Sequence, residues 1–140
     1  MIVACPNCNG LNRLPSDKPA LEANCGKCKQ PLFSGAPLEL TSANFAAHAH
    51  KSELPLVLDF WASWCGPCQS FAPVFSQAAR ELEPNFRFGK INTEQQQALA
   101  AQFAIRSIPT LMIFKQGKVI AQQAGALPKQ AFYQWLSQHK

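Results

Sequence analysis

A strand pattern gives way to a helix pattern at Trp64-Cys65-Gly66-Pro67-Cys68, and that junction narrows the possible fold more than any other stretch of the chain. Upstream, Leu56, Val57, Leu58, Phe60 and Trp61 form a short apolar run that reads as a buried strand. Downstream, Phe71, Val74, Phe75, Ala78, Ala79 and Leu82 recur at helical spacing. The two thiols therefore stand at a helix N-terminus. Residues i and i+3 on a helix bring their Cβ atoms to about 5–6 Å, so a small adjustment reaches the roughly 3.5–4.5 Å of a disulfide. Cys65 faces unpaired backbone N–H groups and the positive end of the helix dipole, which favour a thiolate, and is expected to be the attacking sulfur. Cys68, one turn in, is expected to be shielded and to act as the resolving thiol. Pro67 suits the first turn, where its missing N–H would have been unpaired anyway.

The surrounding pattern supplies alternating strands and helices. Thr41 or Ser42 can cap a helix through His50, strand 56–61 leads into helix 66–83, and Phe86–Asn92 is a strand returning parallel after a helical crossover. Thr93 can cap a helix over Gln95–Phe103. Thr110–Phe114 and Val119–Gln123 form a hairpin across Gln116-Gly117, and Pro128–Gln138 closes the chain as a helix. The class is α/β with a mixed sheet flanked by helices. Pro73, with Ala72 ahead of it, is expected to kink the helix that carries the thiols.

Four more cysteines lie near the N-terminus. Cys5-Pro6-Asn7-Cys8 and Cys25-Gly26-Lys27-Cys28 are separated by sixteen residues, within the spacing of a zinc ribbon. Four thiolates make a closed tetrahedral site for one structural Zn²⁺, which lets a segment of about 35 residues fold without a core of its own. Two disulfides, or iron on the same ligands, are the rival readings. Ser34-Gly35-Ala36-Pro37 reads as a linker, dividing the chain into a ribbon-like domain over 1–36 and a second domain over 37–140. His48 and His50, two apart on a helix, would not share a face, and four cysteines already fill a tetrahedron. Both are expected at the surface, and His139 carries no signal.

At 140 residues and 47% hydrophobic content the chain suits one compact domain with a small appendage. Its longest apolar stretches are too short to span a bilayer, and Met1-Ile2-Val3-Ala4-Cys5 lacks the apolar region of a secretory signal, so a cytoplasmic protein with no membrane partner is expected. In a reducing compartment six cysteines mean metal and catalysis, not a disulfide framework. The formal charge of +5 invites a nucleic-acid reading. Four thiolates around a divalent zinc contribute −2, which brings the net to about +3. The bases are scattered, with no aromatic-basic stripe, which argues against nucleic acid.

With these residues in view the chain resembles the thioredoxin family. Val57-Leu58-Asp59-Phe60-Trp61-Ala62-Ser63-Trp64-Cys65-Gly66-Pro67-Cys68, Ala72-Pro73, Lys90-Ile91-Asn92, Ile108-Pro109-Thr110 and Gly125 follow the family's order and spacing over roughly residues 37–140. The added ribbon resembles that of the second, zinc-binding type of bacterial thioredoxin. The resemblance implies a thioredoxin fold and gives roles to residues. Asp59 would be a buried carboxylate that accepts the proton of Cys68, with Lys90 as its charge partner; a merely structural ion pair is the alternative. Burial raises such a carboxylate towards the thiols' range. Pro109 would be a cis-proline facing the thiols, with Ile108 presenting backbone to an extended substrate segment. Trp64, Gly66, Pro67, Gly125 and Ala126 would complete the docking surface, although Trp64 could instead pack in the core.

The activity so implied is protein-disulfide reduction, with electrons supplied from NADPH by a flavin-containing thioredoxin reductase. No organic cofactor would be bound, the partners would be that reductase and disulfide-containing clients, and the chain would be a monomer. The resemblance implies a thiol pKa of about 7, which raises the thiolate fraction about fifteenfold, but the lost nucleophilicity takes back about fivefold and leaves only about threefold. Leaving-group ability and effective molarity must supply the rest. Many thioredoxins carry a basic residue after the second cysteine, whereas this chain has Gln69. An alternative function makes the ribbon a partner-binding or oxidant-sensing module with the second domain as readout. A thiol oxidase or isomerase is a third, against which Gly66-Pro67 argues by the family pattern.

Overall fold

The strand Leu56–Trp61 is buried on both faces along nearly its whole length, which is what an uninterrupted apolar run requires. The computed structural model describes residues 1–139. Its strands are β1 (Ile2–Ala4), β2 (Leu11–Arg13), β3 (Leu38–Glu39), β4 (Leu56–Trp61), β5 (Arg87–Asn92), β6 (Thr110–Lys115) and β7 (Lys118–Ala124). Its α-helices are α1 (Gly66–Leu82), α2 (Gln97–Gln102) and α3 (Lys129–Ser137). The main sheet has the order β3-β5-β4-β6-β7, parallel across the first three strands and antiparallel beyond.

Strand alternation divides the core in two. Val57, Phe88, Leu111 and Ile113 face α1 and α3, where Phe71, Phe75, Phe132 and Leu136 meet them. Leu56, Leu58, Phe60, Ile91, Met112 and Phe114 face the other side, against Phe45, Ala49 and Leu99. Gly89 is set by close approach: a Cβ there would lie 2.5 Å from Leu40 Cδ1. Gln116 (φ 49°) and Gly117 (φ 83°) make the hairpin turn, both left-handed as a two-residue turn that matches strand twist demands. Pro73 lies within α1 without ending it.

Several local expectations are revised. β3 is only two residues long, too short for a periodicity to register, and pairs with β5. The helix expected through His50 is a wide π-type turn over Ala47–Lys51, and its Ala49 carbonyl accepts the Gly117 N–H at 2.7 Å. α2 starts late because Asn92 Oδ1 takes the N–H groups of Glu94 (2.9 Å) and Gln95 (3.2 Å), holding that stretch in a turn.

The N-terminal segment is an antiparallel β1-β2 hairpin followed by a loop with one 3-10 turn, packed on the N-terminal ends of β4 and β5. Val3, Leu32, Phe33 and Leu54 share one apolar cluster with Cys5 and Cys25. Glu53 N–H donates to the Ile2 carbonyl at 2.8 Å, and Ile2 N–H donates to the Glu53 carboxylate. Arg87, 2% exposed, donates to the Ala4 carbonyl (3.0 Å), pairs with Glu83 (3.1 Å) and lies 4.8 Å from the Phe33 ring centroid. The segment read as a linker is held as well, because Gly35 N–H donates to Glu83 Oε1 at 2.8 Å. His48 corrects a surface expectation: it is 1% exposed, with Nε2–H donating to Asn9 Oδ1 at 3.0 Å. Burial, then the Arg87 charge, lower its pKa to about 4 and keep it neutral. His50 is exposed, as expected.

Candidate active site and metal centre

β4 ends at Trp61, and the chain turns through Ala62–Trp64 into α1, so the cysteines sit beyond the C-terminal end of the central strand. Cys65 is the N-cap of α1, in extended conformation, and its sulfur accepts the Cys68 N–H at 3.2 Å. The two cysteines form a disulfide, with Cα atoms 5.3 Å apart. Each is 3% exposed, so accessibility does not distinguish them in the oxidised state. Position does: Cys65 takes the helix's free N-terminal donors, and Cys68 is already inside the first turn.

Pairing of β6 with β4 brings the segment before β6 beside the disulfide. Cys65 Sγ lies 3.7 Å from the Ile108 carbonyl oxygen, the Ile108–Pro109 peptide is cis, and Pro109 O accepts Gly125 N–H at 2.8 Å. Trp64 is 72% exposed, and Gly66, Pro67 and Ala126 are exposed around it. Ile108 and Gly125 are half-buried, whereas Pro109 is buried.

Asp59 is on β4, on the α1 side by alternation with Val57, and is fully buried. Among the described residues neither carboxylate oxygen has a hydrogen-bond partner. Burial drives its pKa from 3.8 up to about 7, with Lys90 opposing the rise. Lys90 stands opposite Asp59 in the β4–β5 register, but among the described residues the two form no ion pair. The Lys90 ammonium lies instead 4.6 Å from the Trp61 ring centroid.

Cys5, Cys8, Cys25 and Cys28 bring four sulfurs within 4.8 Å of one another, with 3.6 Å between Cys5 and Cys28 and between Cys8 and Cys25. None is in a disulfide. Four sulfurs at about 2.3 Å from a tetrahedral zinc are about 3.8 Å apart, so this packing suits the ion. The donors suit it too. Asn7 N–H (3.3 Å) and Cys8 N–H (3.5 Å) point at Cys5 Sγ, and Lys27 N–H (3.3 Å) and the Asn12 amide (3.4 Å) point at Cys25 Sγ. The Cys28 backbone amide and the Asn12 side chain lower the Cys25 thiol to about 5. Cys28 is lowered too, by the Asn7 side chain first, whereas Cys8, against the lowering effect of the Gly10 backbone, is pushed up to about 11 by desolvation and the neighbouring sulfurs; thiolate is the form that binds a metal cation.

Sequence reasoning does not single out Asn7 and Asn12 as supports of the sulfurs, because their side-chain contacts with Cys28 and Cys25 form only when the two knuckles meet. Nor does it single out Glu94, which meets Ser63 in the active-site loop only after the sheet has formed.

Residues 36–138 match the family described as Thioredoxin, and residues 4–30 match the one described as Thioredoxin 2, N-terminal. Thioredoxin C-3 of Corynebacterium nephridii is 43% identical over 99% of this chain and 94% of its own length. A thioredoxin of Haemophilus influenzae is 44% identical over 73% of this chain and 95% of its own. Thioredoxin 1 of Nostoc sp. is 41% identical over 74% of this chain and 97% of its own.

Proposed function

This chain belongs to the thioredoxin family and is a thiol–disulfide oxidoreductase, and from that premise we propose that it works as a protein-disulfide reductase, with Cys65 attacking and Cys68 resolving. The observation that carries this reading is the Cys65–Cys68 disulfide at the N-terminus of α1, open to a carbonyl edge at Ile108. The Cys65 thiolate attacks one sulfur of a client disulfide and forms a mixed disulfide, while the released client thiolate takes a proton. Cys68 then gives its proton to Asp59 and attacks Cys65 Sγ. The second client thiolate leaves, and two electrons have passed to the client. Asp59 suits the proton step because its pKa of about 7 lets it accept at neutrality, and Lys90 limits how far that value rises.

An extended client segment would lie along Ile108-Pro109 and Gly125-Ala126, with Trp64, Gly66 and Pro67 as an apolar rim. We assign residues 37–140 to this domain and residues 1–36 to a ribbon in which Cys5, Cys8, Cys25 and Cys28 hold one Zn²⁺. That ion would supply a cross-link with no redox chemistry of its own. The proposal extends to re-reduction by an NADPH-dependent thioredoxin reductase, a cytoplasmic setting and a monomeric state; kinship supports the first, and among the described residues no helix is long and apolar enough to cross a membrane. In an insulin-turbidity assay, wild type should precipitate insulin and Cys65→Ser should fall to the uncatalysed background. Undiminished activity in the variant would reject the assignment.

A further inference from the structure

We propose that Glu94 and Gln69 are positioning residues for the redox pair, clamping Ser63 so that the loop carrying Cys65 is held against Cys68 in both oxidation states. Ser63 lies two residues before Cys65 on an exposed loop, yet its backbone and side-chain polar groups all bond to protein. Its N–H and hydroxyl both donate to Glu94 Oε1, at 2.8 and 2.7 Å, and its carbonyl accepts the Gln69 amide at 2.6 Å. The hydrogen bonds from Ser63 lower the Glu94 pKa, so the carboxylate remains an acceptor.

The clamp is itself anchored. Asn92 Oδ1 accepts the Glu94 N–H at 2.9 Å, and Thr93 donates to the Trp61 carbonyl through its N–H (2.8 Å) and its hydroxyl (3.0 Å). The end of β5 therefore grips the exit of β4 at two points, Trp61 and Ser63. Gln69, the residue after Cys68, ties the same loop from the helix side.

Closing a disulfide requires the loop to adopt one geometry. A loop already held there loses less freedom on closure, which raises the effective concentration of one sulfur at the other. The dithiol then closes more readily and gives up its electrons more readily. This argument rests on Cys65–Cys68 being the redox pair.

The test uses the full, zinc-loaded chain in equilibrium with glutathione. Two thiols pass two electrons and two protons to oxidised glutathione, giving the Cys65–Cys68 disulfide and two molecules of reduced glutathione. Glu94→Ala should lower that equilibrium constant by about three- to tenfold, the freedom of about one immobilised residue that the loop would then lose on closure, where tenfold is about 30 mV for a two-electron couple. Glu94→Gln keeps an oxygen that accepts both Ser63 hydrogens and should stay within about twofold of wild type. Ser63→Ala, which loses only the hydroxyl bond, should fall between them and serves if Glu94→Ala does not fold. Wild-type behaviour in both alanine variants overturns the clamp. So does a Glu94→Gln that falls as far as Glu94→Ala, since charge alone would then carry the effect. A wild-type chain that never equilibrates with glutathione would instead sink the redox reading itself.

Discussion

The protein uses the same thiol spacing three times, yet one pair closes on itself while the other two face each other. Cys65 and Cys68 straddle the start of a helix, whose first turn brings the sulfurs together and offers N–H groups to one of them. In the ribbon each pair is followed by a left-handed residue, Asn9 (φ 65°) or Lys29 (φ 68°), that folds the chain back in a tight knuckle. There the short sulfur contacts run between pairs, Cys5 to Cys28 and Cys8 to Cys25. Spacing supplies two thiols within reach; the backbone that follows decides whether they meet each other or a cation.

The sharpest way to separate the two uses is to remove the metal. Structural zinc is worth about 10–16 kcal/mol in ribbon-sized peptides, so chelation should open residues 1–36 to proteolysis and leave four additional titratable thiols. The glutathione equilibrium of Cys65–Cys68 should move by less than about twofold; a shift that tracks zinc loss would show that the two uses are not independent. Next in size is the contact between the regions. Arg87→Ala strands the buried Glu83 carboxylate and should cost about 3–5 kcal/mol in a urea melt. Glu83→Gln with Arg87→Met should recover most of it, and if it does not, the loss came from the Phe33 and Ala4 contacts of Arg87 and not from the pair.

The smallest effect tests the redox site's own strain. The Asp59 pKa is raised from 3.8 to about 7, so the fold favours the protonated carboxyl. Stability is therefore lost as pH climbs from about 4 through 7 and stays lost above. Asp59→Asn should match wild type below about pH 4 and exceed it by roughly 2–4 kcal/mol above pH 8, while resolving the mixed disulfide more slowly. Parallel stability curves across that range would remove Asp59's buried charge from the account.

Much of this was legible in the chain because the relevant signals are local. The apolar run before Cys65, the helical spacing after Cys68 and the Gln116-Gly117 turn each place an element from adjacent residues, and four cysteines at ribbon spacing converge as expected. What was not legible depends on partners distant in sequence. His48 reads as a surface histidine until Asn9, thirty-nine residues earlier, packs over it. Arg87 opens a strand and would pass for a solvated base, yet it is enclosed by Phe33, Glu83 and Ala4. Gln69 marks a departure from the family, but its bond to Ser63 appears only once the loop has its shape. Polar residues at contacts between distant segments have no periodicity to announce them.

The ribbon rests on the starting ends of β4 and β5, and the disulfide lies past the finishing end of β4. Six extended residues set about 20 Å between them, several times the reach of any sulfur–sulfur exchange. The molecule thus insulates its two thiol chemistries by the length of one strand. On that spacing, exchange between the redox pair and the four ribbon sulfurs of one chain would require the fold to open first.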